Sequence, residues 1–150
     1  MKQSKKGFTL VELLIVIVVI GVLSTMMMLS STEAVTSAKA SNIVSNLRNL
    51  KTAALAWYVD NLSTADTVNI SSKRTEIIQY MSNESVASEY KFTGKGEGNW
   101  YVYYESPESR VGDKLKSRKD DVGLKKITAG DTPTVANYDG GTNIVGMFIR

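Results

Sequence analysis

FTLVELLIVIVVIGVLSTMMML, residues 8–29, is the stretch that decides how this chain is organised. As a helix it measures roughly 33 Å, close to the thickness of bilayer hydrocarbon. Lys2, Lys5 and Lys6 precede it, whereas the first charges beyond it are Glu33 and Lys39. The positive-inside rule therefore places the amino terminus in the cytoplasm and the remainder of the chain outside. Within the run stands one charged residue, Glu12. A carboxylate at membrane depth costs about 3 kcal/mol or more, so a partner is expected to neutralise it. Were the chain cut after Gly7, Phe8 would become a charged amine one helical turn from Glu12, in this subunit or an adjacent one.

An ordinary signal peptide ends in a small-residue cleavage site after its apolar run. No A-x-A pattern of that kind follows Leu29. The segment KKGFTLVELLIVIVVIGVL, residues 5–23, instead resembles the amino-terminal signature of bacterial type IV prepilins and type II secretion pseudopilins. The resemblance implies a leader of residues 1–7, removed by a prepilin peptidase between Gly7 and Phe8, with methylation of the new Phe8 amine. It implies that Glu12 sets subunit register, that residues 8–29 anchor the precursor in the inner membrane and later form a filament core, and that residues 30–150 supply a stalk helix and a globular domain. The partners it implies are sibling subunits in a homopolymer, the peptidase and the inner-membrane assembly machinery. The final location would be a filament at the cell surface or in the periplasm. Many type IV pilins carry a proline near the end of the apolar run, where this chain has Leu29, and unwind between it and a preceding glycine. Gly21 is present here without that proline, which leans toward a pseudopilin or an atypical pilin.

Composition narrows the function classes. Taking the three leader lysines from the 18 basic residues leaves 15, matched by 15 acidic ones, so the formal charge of +3 belongs to the leader. Nucleic acid is not expected as a partner of the mature chain. The chain has no cysteine and no histidine, which removes disulfides, cysteine metal sites and the commonest general base. No compact set of acid, base and nucleophile replaces them, so no enzymatic activity is expected. Met26, Met27 and Met28 read as adaptable packing surface.

From Ser30 to Asn61 there is no proline or glycine, and Ala40, Ile43, Leu47, Leu50, Ala54 and Trp57 recur at steps of three and four. That spacing draws one apolar stripe along a helix. A single helix over about residues 8–61 follows, on the order of 80 Å long. Residues 60–73 read as a polar surface connection, and residues 74–81 as a short helix. Residues 89–93 and 100–104 flank GKGEGN as a hairpin. Ser106 and Pro107 look like the start of a helix reaching Val122, with Gly123 as its stop. Between Glu105 and Lys126 there are seven basic and five acidic side chains, a mixed solvated face, and the one stretch a DNA- or surface-binding minor subunit could use. Residues 134–138 and 143–149 flank Asp139-Gly-Gly-Thr142 as a second hairpin. The expected fold is α+β and pilin-like, with the long helix packed on a roughly four-stranded antiparallel sheet.

Pilins often close this region with a disulfide, which this chain cannot form, and some pseudopilins use calcium. Asp120, Asp121, Asp131 and Asp139 are the available acids, but they lack an EF-hand spacing, so no metal or other cofactor is expected. Asn61-Leu-Ser63, Asn69-Ile-Ser71 and Asn83-Glu-Ser85 match glycosylation sequons and are common by chance.

Overall fold

The computed structural model describes residues 7–81, 88–96, 98–105, 107–130 and 132–150, without the side chain of Leu29. Lys2, Lys5 and Lys6, the sequon at Asn83, and Ser106 and Asp131 therefore lie outside the described residues. Contacts divide the chain into a unit ending at Val35 and a unit Thr36–Arg150. The second is built as follows.

Helix α1 spans Leu10–Asp60. Along its later part Ala40, Ile43, Val44, Leu47, Leu50, Ala53, Ala54 and Trp57 are all buried. These positions fall on one side at helical spacing, which is why the segment can be a helix and half of a core at once. Two short helices, α2 (Leu62–Ala65) and α3 (Arg74–Ile78), follow, with a 3-10 turn over Ile70–Lys73 between them. Asn69 starts that turn, its side-chain oxygen accepting the Ser71 amide at 3.0 Å. Ala65, Ile70 and Ile77 lose all solvent contact. The connection from 60 to 73 is thus not purely surface, because isolated apolar residues in a polar segment are enough to dock it.

Five strands form one antiparallel sheet in the order β1-β2-β5-β3-β4. They are β1 (Tyr90–Thr93), β2 (Tyr101–Tyr104), β3 (Leu124–Thr128), β4 (Thr134–Asn137) and β5 (Val145–Phe148). Register aligns Phe92 with Val102, Val102 with Met147, and Met147 with Leu124, and all four are buried. This row crosses four strands and joins the α1 stripe in one hydrophobic cluster. Helices α4 (Ser109–Ser117) and α5 (Lys119–Val122) complete the unit, with Val111 and Leu115 of α4 in the same cluster.

The hairpin expected at 89–104 is present as β1 and β2. The one expected at 134–149 is not: β4 pairs with β3, and β5 inserts between β2 and β3. The cause lies in the connection. Gly140 and Gly141 both take left-handed backbone angles, and Asn143 donates to the Asp139 side chain at 2.8 Å and the Gly140 carbonyl at 2.9 Å. Gly112 of α4 packs so tightly on this turn that a Cβ there would sit 1.7 Å from the Gly141 oxygen. Held against α4, the turn carries β5 away from β4 instead of folding it back.

β3 is the fifth strand, beyond the four expected. Its buried residues, Leu124 and Ile127, are three apart and lie on opposite faces, so the segment lacks the period-two signal of a half-buried strand. The helix expected over 107–122 is present as two pieces divided at Arg118. It starts at Ser109 after Glu108, while Pro107 is buried as packing and not a first helical residue. Gly123 ends α5 with φ of 74°, a conformation glycine adopts without steric penalty.

The far end of the core is aromatic. Trp57 and Tyr58 meet Trp100 at ring-centroid distances of 6.0 and 5.7 Å. The Arg150 guanidinium lies 3.7 Å from the Tyr58 centroid and bonds Asp66 at 2.7 Å. Trp57 also donates its indole N–H to Glu76 at 3.0 Å, and Lys73 reaches the other oxygen of Glu76 at 2.6 Å. The hydrogen bond from Lys73, then that from Trp57, lowers the Glu76 pKa.

Leu50→Ala should reduce stability by about 2–5 kcal/mol, read from chemical denaturation followed by tryptophan fluorescence. A carboxylate held below its unfolded pKa stabilises the fold above that unfolded value, and the contribution disappears as pH falls through the folded one. Glu76→Gln should therefore flatten the acid side of the stability profile, and an unchanged slope below about pH 5 would contradict this linkage.

Candidate functional site

The unit ending at Val35 holds the features that carry chemistry. Gly7, Phe8 and Thr9 precede the first turn of α1 in non-helical backbone, and Gly7 and Phe8 are exposed. A peptide bond between residues 7 and 8 is thus free of helical hydrogen bonding and open to an approaching protein.

Thr9 and Glu12 cap the helix reciprocally. The Glu12 amide donates to Thr9 Oγ1 at 3.3 Å, while the Thr9 amide donates to Glu12 Oε2 at 2.8 Å. Thr9 Oγ1 also donates to the same carboxylate oxygen at 2.8 Å. This is a capping box, in which two amide donors that a helix start leaves unpaired are satisfied by side chains. A negative charge in the first turn is further favoured by the helix dipole. Thr-x-x-Glu spacing is the sequence signal for the box, and treating Glu12 only as a misplaced membrane charge passes over it. Both bonds from Thr9 fall on Oε2, and Oε1 has no hydrogen-bond partner among the described residues.

Beyond Glu12 the helix is apolar on every side. Phe8 just before it and its large hydrophobic residues from Leu10 to Met28 are between 49% and 82% exposed. Helical backbone continues through Gly21 and past position 29. Ser24 donates its hydroxyl to the Ile20 carbonyl at 2.7 Å, and Thr25 to that of Val22 at 2.7 Å. These back-bonds satisfy two hydroxyls that an apolar environment would otherwise leave unpaired. The helix is long and apolar enough to cross a bilayer.

A protein-family model, the prokaryotic N-terminal methylation motif, matches residues 2–28. The chain carries the type IV pilin and pseudopilin signature. No curated protein and no solved structure matches it. The pilin-like signature covers Lys2, Lys5 and Lys6, the Gly7–Phe8 junction, Glu12 and most of the apolar run, and the long helix on an antiparallel sheet is a pilin-like α+β fold. It marks a type IV pilin-like or pseudopilin protein and points to a structural role in preference to an enzymatic one. Together with the apolar helix, it fits membrane anchoring of a precursor.

The remaining candidate residues fall elsewhere. The stripe from Ala40 to Trp57 belongs to the core of the globular unit. Asp120 and Asp121 lie in the first turn of α5, whereas Asp139 bonds Lys126 at 3.3 Å and accepts from Asn143. Among the described residues no three acids converge in a way that could hold a metal ion. The basic residues near α4 are partly engaged: Arg118 bonds Ser41, and Lys126 bonds Asp139.

Thr9→Ala should cost about 1 kcal/mol at the helix start. Amide exchange over Leu10–Leu13 in micelles should speed up about fivefold, and Thr9→Ser should restore it.

Proposed function

We propose that this chain is the precursor of a structural subunit of a type IV pilus, polymerised from the inner membrane into an extracellular filament that serves adhesion, motility or DNA uptake. The match to the methylation motif carries this reading. The geometry supports it. The Gly7–Phe8 bond stands just outside α1, and Glu12 is one turn from the amine that cleavage would create. An uncovered apolar helix needs either lipid or the helices of sibling subunits.

In the precursor, residues 8–29 hold the subunit in the membrane and Thr9 shields Glu12. Prepilin peptidase removes residues 1–7, and the Phe8 amine is methylated. During extraction, the Phe8 amine of a neighbour approaches the open Oε1 of Glu12 and offsets its charge. The apolar helices then bury one another in the fibre core, and the globular unit faces outward.

A second reading is a pseudopilin of a type II secretion system. Leu29 replaces the family proline, and α1 is helical through Gly21 with Ser24 and Thr25 bonded back to the helix, which favours a core helix that does not unwind. Electron microscopy of the source cells separates the two, since long surface fibres containing this subunit belong to a pilus.

Mass analysis of the mature subunit should show loss of residues 1–7 and one methyl on Phe8. An intact leader, or cleavage after residue 29, would refute the assignment. Glu12→Ala should leave processing largely intact and reduce filament yield, and normal fibres from that variant would exclude the pairing role.

A further inference from the structure

The sheet has two edges, and the chain treats them differently. At β1 the Ile70 amide donates to the Gly94 carbonyl at 3.1 Å and Asn69 bridges to Lys95, so the chain covers the end of that edge itself. At the opposite edge stands β4, whose residues are all exposed. Bare strand edges are commonly defended by charge, proline or a bulge. Thr134, Val135, Ala136 and Asn137 include neither a charge nor a proline, and their register with β3 runs one to one.

The ladder determines which backbone groups are open. Ile127 donates its amide to the Ile144 carbonyl at 3.4 Å, on the β5 side. The amide and carbonyl of one residue leave the same side of a strand, and the side alternates from residue to residue. Lys126 and Thr128 therefore turn toward β4, where they stand opposite Ala136 and Thr134. Val135 and Asn137 are left with amides and carbonyls turned outward, and no other backbone bond reaches them among the described residues.

We propose that this edge pairs with the same edge of a second copy of the chain. A two-fold axis through Ala136 sets Val135 of each copy opposite Asn137 of the other, antiparallel, and every outward amide then meets an outward carbonyl. Shifted registers do worse. Centring on Val135 sets Pro133, which lacks an amide, opposite Asn137, and centring on Asn137 draws in Asp139, whose turn is held by Asn143.

The edge is electrically suited to meeting its own image. Lys125 and Lys126, one strand inward, reach Asn137 and Asp139 of their own copy, so no bare charge confronts its equivalent. Alanine on the axis lets the backbones approach, and the two Val135 side chains lie diagonally on the face that also carries Ile127. So short an edge covers far less than the roughly 1,200 Å² of a stable specific interface, and the pairing therefore needs copies held at high local concentration. A two-fold contact closes at two copies, so it links chains without itself propagating a fibre.

The chain has no cysteine, so single-cysteine variants report the register. The full-length chain, concentrated in a non-ionic detergent, should be oxidised mildly and disulfide-linked dimer followed on non-reducing gels. Ala136→Cys places each thiol opposite its equivalent in a non-hydrogen-bonded pair, about 4.5 Å between Cα atoms and within disulfide reach. Thr134→Cys displaces the thiols by roughly 14 Å along the strand. Ala136→Cys should therefore cross-link at least about tenfold faster. Association through the apolar helices raises both rates alike, so their ratio isolates the edge. Val135→Pro removes an outward amide without touching the β3 ladder, and should bring the Ala136→Cys rate down to that of Thr134→Cys. Val135→Lys, at an exposed position, should slow it as well by bringing like charges together, with added salt restoring the rate. Equal rates for the two cysteine variants, or an Ala136→Cys rate indifferent to both Val135 substitutions, would overturn the inference.

Discussion

Burial of one side of α1 between Ala40 and Trp57 is the contact on which the globular unit depends. Leu47, Leu50 and Ala54 lose all solvent contact there. A fully buried leucine is worth about 1.5–3 kcal/mol in transfer free energy, and no disulfide supplements that packing. The sheet presents the matching surface through the row Phe92, Val102, Met147 and Leu124. Insertion of β5 into the middle of the sheet, where Val145 and Met147 can reach the row, follows from the same demand for cover. The aromatic end is fixed differently, by rings and by the Arg150 guanidinium, whose planar face stacks on Tyr58 while its edge bonds Asp66.

Much of this was legible in the sequence because periodicity reports burial. The stripe from Ala40 to Trp57 announces itself at helical spacing, and GKGEGN between two aromatic strands announces a hairpin. β3 was not legible, since Lys125 and Lys126 occupy its centre and reach outward to Asn137 and Asp139, leaving an apolar pattern that fits neither template. The β4–β5 hairpin was misread for a tertiary reason. Asp139-Gly-Gly-Thr142 resembles a tight hairpin turn, but the close approach of Gly112 in α4 decides where it goes. At the amino terminus, the junction and Glu12 were visible as a motif, whereas the capping box needed attention to a spacing of three residues.

The amino-terminal unit obeys a different physics. An apolar helix exposed on all sides is an incomplete structure in water and a complete one in lipid or among its own kind. Ser24 and Thr25 suit both settings because their hydroxyls are spent on the helix itself. Helical backbone can therefore persist through Gly21 whether the surroundings are acyl chains or neighbouring helices, and the absence of a proline at position 29 removes the usual point of failure.

The capping box changes the character of subunit joining in a fibre of the proposed kind. Because Thr9 already occupies one oxygen of Glu12, an incoming amine does not rescue a bare charge; it adds a donor at the oxygen that the internal bonds leave open. Joining then completes a carboxylate that is already partly satisfied, with a smaller net driving force than an isolated charge pair would give. A misregistered neighbour that offers no amine leaves the internal bonds intact and gains nothing at this position. The same two bonds remain when a subunit departs, which makes the contact reversible at the level of single side chains.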